Sequence, residues 1–239
     1  MDGAPIIERY RALDDSRDST VKLSARIKEL TNPDPSASRP IHLTIYRKRT
    51  LDGRILILIE FNSPAEERDR DGLITVYPDS RIEGVRYVQS TDSFIVTDDP
   101  LSEDALFGLT LQELADGQPE KYEFSLVSEE SVDGRDVFHL EGRLRPDTQS
   151  KFNRLVLLVD KQNFTVREAE FYDNHNELAR RLAVGEVEQI GGHWTRKRWT
   201  IENRSRKKTI DFVATDVRYD QGLSDSIFTQ EHLKKIASR

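Results

Sequence analysis

The chain has 239 residues with 43 acidic and 36 basic side chains, a net charge of -7, so it lacks the long-range positive field that draws a nucleic-acid backbone. It contains no cysteine, which removes disulfides, thiol catalysis and cysteine-ligated metal. A hydrophobic share of 36% against 33% charged fits strands with one wet and one dry face, and no apolar run reaches the length that spans a bilayer.

Taken in chain order, Ile6, Ile7, Tyr10 and Leu13 recur at helical spacing and predict a short amphipathic helix over 5–13. The period then changes to two. Val21, Leu23, Ala25 and Ile27 alternate with Lys22, Ser24, Arg26 and Lys28, and after a proline-rich break at 32–36 the alternation restarts at Ile41, Leu43 and Ile45. Asp52-Gly53 marks a turn into 55–59, Ile-Leu-Ile-Leu-Ile, apolar on both faces and therefore expected at the centre of a sheet. Further strands are expected at 73–77, 82–88, 122–127, 137–144, 155–159, 164–172, 182–190, 193–203 and 209–219, joined by turns such as Asp133-Gly134 and Gly191-Gly192.

A second helix is expected over 102–115, with Ser102 as N-cap, Glu103 and Asp104 in the first turn and Gly117 beyond its end. Leu106, Phe107, Leu109, Leu111 and Leu114 give it an apolar face broad enough to cover a groove. With no repeat and no flexible linker, the expectation is one domain over 1–239. Its class is mainly β (α+β): a single unclosed antiparallel barrel of about ten or eleven strands, whose twist curls it around a concave face that helices lid.

Enzyme signatures are sparse. The five histidines, His42, His139, His175, His193 and His232, show no zinc spacing. There is no nucleophile elbow, phosphate-cradling loop or dinucleotide fingerprint, and Asp98-Asp99-Pro100 reads as a turn ahead of a helix rather than a calcium loop. Trp194 and Trp199 lie five positions apart on one strand, so at most one faces inward. The basic cluster of Arg196, Lys197, Arg198, Arg204, Arg206, Lys207 and Lys208 reads as a charged sheet edge protected from pairing, with a docking surface for anionic headgroups or an acidic partner as the sharper alternative.

Phe171-Tyr172-Asp173-Asn174-His175-Asn176-Glu177-Leu178 resembles the FYD-x-x-x-EL hairpin of bacterial outer-membrane lipoprotein-sorting proteins related to the LolA carrier. Trp194, Trp199-Thr200-Ile201-Glu202-Asn203, Thr209, Asp216-Val217-Arg218-Tyr219, Gly222-Leu223, Asp225 and Phe228-Thr229 are similar to that family's closing hairpin and tail. Leu109-Thr110-Leu111-Gln112-Glu113-Leu114 occupies the place of its F-T-Y-E-D-L segment, with Leu111 and Gln112 departing from the Tyr and Glu usual there.

The resemblance implies a periplasmic carrier without catalysis or cofactor, a monomer that binds the acyl chains of a lipid or lipoprotein in a hydrophobic cavity for transfer towards the outer membrane. It also implies a cleaved signal peptide, the polar start being the mature chain behind an added Met, and a membrane exporter of the resistance-nodulation-division type as a partner. The residues expected to line or lid the cavity are Leu43, Ile45, Ile57, Ile59, Leu106, Leu111, Leu114, Phe138 and Leu140. The competing reading is a non-catalytic scaffold that binds proteins through the outer face or edge of the sheet.

Overall fold

The structure, a computed structural model, describes residues 1–30, 39–99, 101, 107–114 and 119–239. Its strands are β1 (Asp18–Glu29), β2 (Ile41–Arg49), β3 (Ile55–Ser63), β4 (Gly72–Val76), β5 (Ile82–Val88), β6 (Ser93–Thr97), β7 (Tyr122–Val132), β8 (Arg135–Leu144), β9 (Arg154–Asp160), β10 (Val166–Tyr172), β11 (Leu178–Ile190), β12 (His193–Asn203) and β13 (Lys208–Tyr219). They form one unclosed sheet in the order β6-β5-β4-β3-β2-β1-β13-β12-β11-β10-β9-β8-β7. Every pairing whose register is defined is antiparallel. The helices are α1 (Ala4–Ala12), α2 (Leu111–Leu114) and α3 (Gln230–Ala237).

The described residues fall into two compact units. The first comprises Met1–Asp15, Ile27–Ser38 and Pro119–Phe212. Here β7 to β11 turn one face towards α1, whose Pro5 sits in the first turn where a missing N–H costs nothing. Ile7 is buried with Tyr122, Phe124, Leu140, Phe152, Leu155, Leu157 and Val159, and Ile6, Tyr10, Phe138 and Phe164 pack around them. The aromatic density has a local cause at Gly142, which pairs with Phe124: a Cβ there would lie 2.5 Å from the Phe124 ring, so only glycine lets the ring lie flat across the strand. Met1 to Gly3 continue the sheet beyond β7, the Gly3 N–H donating to Phe124 O at 3.0 Å and the Leu126 N–H to Met1 O at 2.8 Å, which pairs part of an otherwise open edge.

The second unit comprises Ser16–Arg26, Arg39–Gln118 and Val213–Arg239. Its strand β3 is buried on both faces, as the uniform apolar run predicts: Ile57, Leu58 and Ile59 are all buried. On the even-numbered face Leu58 packs with Leu73, Val85 and Tyr87 against Leu233 and Ile236 of α3. This helix is capped by the Thr229 hydroxyl, which accepts from the His232 N–H at 3.1 Å.

Several expectations are corrected. The helix over 102–115 is broken: Phe107 and Gly108 have φ of +53° and +81°, which no right-handed helix accommodates, and among its described residues only Leu111–Leu114 is helical. Its expected start at 102–106 and its last residue, Ala115, lie outside the described residues. The sheet has thirteen strands rather than about ten or eleven, and β6 is the one that none of the expected ranges marks. The basic cluster is not at a sheet edge, since β12 and β13 are interior strands. Three of its cations sit in cross-strand ion pairs, Arg198 with Glu186 at 3.0 Å, Lys197 with Glu188 at 3.8 Å and Lys208 with Glu29 at 3.8 Å. Trp199 stacks on buried Phe212 at 5.1 Å between centroids, while Trp194 is exposed, in line with opposite faces.

The route from β13 to α3 is fixed by one buried carboxylate. Asp18 accepts the backbone N–H groups of Gln221 at 2.8 Å, Gly222 at 2.9 Å and Leu223 at 3.1 Å. Charge-assisted bonds of this kind each contribute more than neutral ones, so Asp18→Ala is expected to lower the unfolding free energy by about 2–3 kcal/mol. Urea denaturation measures this; a midpoint indistinguishable from wild type would contradict the role given to Asp18.

Candidate functional site

One face of β2 to β5, odd-numbered in β2 and β3 and even-numbered in β4 and β5, is an apolar floor. Across β2 and β3 the register sets Leu43 opposite Phe61 and Ile45 opposite Ile59, and the row through Ile57 continues to Ile74 and Gly84. Leu43, Ile57, Ile59, Phe61, Ile74 and Ile82 are buried and Ile45 is half-buried. The segment 107–114 lies over this floor. Leu111, 2% exposed, occupies the space a side chain at Gly84 would take, its Cδ1 3.0 Å from the position of a Cβ there. Phe107 meets Phe61 edge-on at 5.9 Å between ring centroids.

A reciprocal cap holds this short cover in shape. The Thr110 N–H donates to Glu113 Oε2 at 2.7 Å and the Glu113 N–H to Thr110 Oγ1 at 3.1 Å, the arrangement a Thr-x-x-Glu sequence supports. Four helical residues are far too few to be stable by propensity, so the segment stays in place through its cap and the packing of Leu111 and Phe107.

Of the nine expected lining residues, Leu43, Ile45, Ile57, Ile59 and Leu111 therefore share one place, the covered floor. Leu114 is half-buried at the end of α2. Phe138 and Leu140 belong to the apolar cluster beneath α1 in the other unit. Leu106 lies outside the described residues.

The opposite face, even-numbered in β2 and β3, carries a pocket of about 420 Å³ that sequence reasoning missed. Thr44, Tyr46, Leu58, Glu60 and Asn62 of β2 and β3 line it with Lys22, Ile227, His232 and Arg239. Glu60 accepts from Arg239 Nη1 at 2.6 Å and from the Tyr46 hydroxyl at 3.3 Å. Burial, followed by the charge of Glu60, raises the Tyr46 pKa, and burial holds that of His232 below the usual histidine value. The one sequence signal was Glu60 itself, a carboxylate set directly after Ile55 to Ile59 and before Phe61.

A second pocket, of about 480 Å³, is lined by Glu141, Arg143, Asn153, Arg154, Asp173, Asn174 and Asn176. Arg143 pairs with Glu141 at 2.6 Å and Arg154 Nε donates to Asn176 at 2.8 Å. None of the nine expected residues lines either pocket. Among the described residues no group of three or more His, Cys, Asp or Glu could hold a metal ion, and no helix is long and apolar enough to cross a membrane.

A protein-family model described as "uncharacterized protein" matches residues 54–235, well over half of the chain. The chain belongs to that family. A comparison with curated proteins gave no match. Among solved structures, a DUF1329 family protein from Desulfovibrio piger is 23% identical with a TM-score of 0.83, 97% of each chain being covered. A domain proposed to be an outer membrane lipoprotein-sorting protein, from Vibrio parahaemolyticus, is 20% identical with a TM-score of 0.84, covering 96% of this chain and 97% of the other. A LolA superfamily protein from Nitrosomonas europaea is 20% identical with a TM-score of 0.73 over 98% and 100% of the two chains. The fold is LolA-like, as the hairpin and tail residues led one to expect.

Asp71, 2% exposed, anchors the end of β3 by accepting the Phe61 N–H at 2.7 Å. Burial, reinforced by the nearby Glu60 charge, pushes its pKa up to about 7. The folded state thus holds a proton that the unfolded state releases near pH 4, so this contribution to stability is fully present below about pH 4 and is lost as pH rises through about 7. Asp71→Asn keeps an acceptor for the Phe61 N–H and is expected to melt higher than wild type at pH 8, with a smaller difference at pH 5. Thermal melts at the two values check the sign; an Asn variant that is less stable at pH 8 would contradict it.

Proposed function

We infer that the chain is a non-catalytic carrier that shelters acyl chains of a lipid or lipoprotein on the apolar floor of β2 to β5. The observation that carries this reading is the floor and its cover together. Leu43, Ile57, Ile59 and Phe61 form a continuous buried surface, and the segment above Gly84 is a single helical turn with a left-handed break at Phe107 and Gly108. The LolA-like fold supports it, since two of the similar structures are described as a lipoprotein-sorting domain and a LolA superfamily protein.

In this reading Leu111 and Phe107 move aside and an acyl chain takes their place, so the apolar area left open by the cover is covered again by methylenes. The whole chain acts as one lipid-binding domain in this reading. A periplasmic location, with transfer towards the outer membrane, belongs to the same proposal. A membrane exporter as partner rests on the sequence resemblance, and none of the three similar structures is described with one.

Titration with a fluorescent fatty acid tests the proposal. Wild type is expected to bind the probe saturably, and Leu111→Asp, whose carboxylate is costly to bury in the closed state and so favours the open one, to bind at least about ten-fold more tightly. Circular dichroism shows whether that variant keeps its strands. Absence of saturable uptake by the wild-type protein would overturn the carrier reading.

A further inference from the structure

The second unit ends in a strand whose packing is unfinished. β6 is the terminal strand of the sheet on this side, and the register carries one cross-strand row from Leu58 to Leu73, Val85 and then Val96. Leu58, Leu73 and Val85 are buried, whereas Val96 at the end of the row is 55% exposed. On the other face Ile95, opposite Arg86, is 47% exposed. Apolar side chains on both faces of the last strand thus stand where one more strand would cover them.

Edge strands commonly carry a device against added strands, such as a lysine, a proline, a bulge or a covering segment. β6 is Ser-Phe-Ile-Val-Thr, without charge or proline, and it pairs with β5 without a register shift. The sheet's other terminal strand, β7, is treated differently, because Met1 to Gly3 pair along part of its outer side. Among the described residues nothing pairs with the outer side of β6.

Charge decides the occupant. Asp92 precedes the strand, and Asp98 and Asp99 follow it. Asp92 is held by Lys234 at 2.5 Å and by the Tyr87 hydroxyl at 2.7 Å, but Asp98 and Asp99 are exposed and have no ion-pair partner among the described residues. A second copy paired antiparallel and centred on Ile95 would set Asp98 opposite Asp92 twice, and like charges directly opposite destabilise a strand pair. Lysine or arginine in the added strand would instead be matched.

We propose that β6 is a docking edge for an extended segment of a partner protein, apolar in the middle with lysine or arginine at its ends, which joins the sheet as a further strand. The segment's backbone pairs with the outward N–H and C=O groups of β6, its apolar residues extend the rows that end at Val96 and Ile95, and its cations meet Asp98 and Asp99. The edge adjoins the cover of the acyl floor: Thr97 Cγ2 and Leu111 Cδ1 lie 3.2 and 3.0 Å from the position of a Cβ on Gly84. A partner bound here sits beside that cover, although its docking does not depend on acyl binding.

The probe is a fluorophore-labelled peptide, Lys-Lys-Thr-Val-Ile-Val-Thr-Lys-Lys, followed by anisotropy at rising protein concentration. Saturable binding is expected. N-methylation of one alternate set of core residues, which removes the backbone donors facing β6 and keeps the side chains, is expected to weaken it at least about ten-fold, and methylation of the other set to leave it. Ile95→Ser with Val96→Ser, which alters two exposed positions without changing the charge, is expected to weaken binding about ten-fold. Asp98→Asn with Asp99→Asn is expected to weaken it about three-fold and to reduce its salt dependence. The melting temperatures of both variants are the fold control. The same peptide with Glu in place of Lys is expected to bind at least about ten-fold more weakly.

No saturable binding of the lysine peptide, binding indifferent to both methylations, or binding that survives Ile95→Ser with Val96→Ser would overturn the proposal. Light scattering on the free protein tests the other occupant: a dimer that the same double substitution disperses would assign the edge to a second copy and overturn it as well.

Discussion

Burial of β3 on both faces is the constraint around which the second unit is organised. Five consecutive apolar residues leave neither side of the strand fit for water, so each side must be covered by something else in the chain. The even-numbered side is closed by α3, where Leu233 and Ile236 meet Leu58. The odd-numbered side is closed by Leu111 and Phe107. The two covers differ in kind. The first is an eight-residue helix capped by Thr229, on a route fixed by the Asp18 carboxylate, and the second is four helical residues with their own cap.

That difference sets which face can open. Exposing buried Leu111 and half-buried Phe107 costs at most about 3–6 kcal/mol together, while each acyl methylene that takes their place returns about 0.8 kcal/mol. About four to eight methylenes are therefore enough to offset the opening, and the longer chains of membrane lipids exceed it. The same arithmetic favours release when the chain is offered another apolar environment, because the cover regains its own burial as the ligand leaves. Opening the α3 side would instead separate Leu233 and Ile236 from their cluster and break the Arg239 to Glu60 contact.

Much of this architecture was legible in the sequence. The bounds of β5 and β12 follow from clear turn chemistry on either side, and the two-sided burial of β3 from its unbroken apolar run. The pieces that escaped did so for identifiable reasons. The five residues of β6 are too short to show alternation and carry exposed Ile95 and Val96. In 102–115 the leucine spacing imitates a helix, and Gly108 was the one residue that marked the break; Thr110 and Glu113 were a second sign, a capping pair that starts a helix at 111 rather than 103. The basic cluster looked like an edge because charge alone does not reveal which strands flank it, and its partners Glu186, Glu188 and Glu29 are distant in sequence or on another strand. The polar pocket depends on α3 returning across β3, a long-range contact that no local pattern encodes.

The central claim is that the cover at Leu111 must leave Gly84 for an acyl chain to enter. The chain has no cysteine, so Gly84→Cys with Leu111→Cys introduces the only pair of thiols, at positions where a Cβ on residue 84 would lie 3.0 Å from Leu111 Cδ1. Probe uptake by this double variant, measured with the two thiols joined and again after reduction, tests the claim most directly. Uptake is expected to be blocked in the cross-linked protein and restored by reduction. Equal uptake in both states would contradict entry beneath this cover.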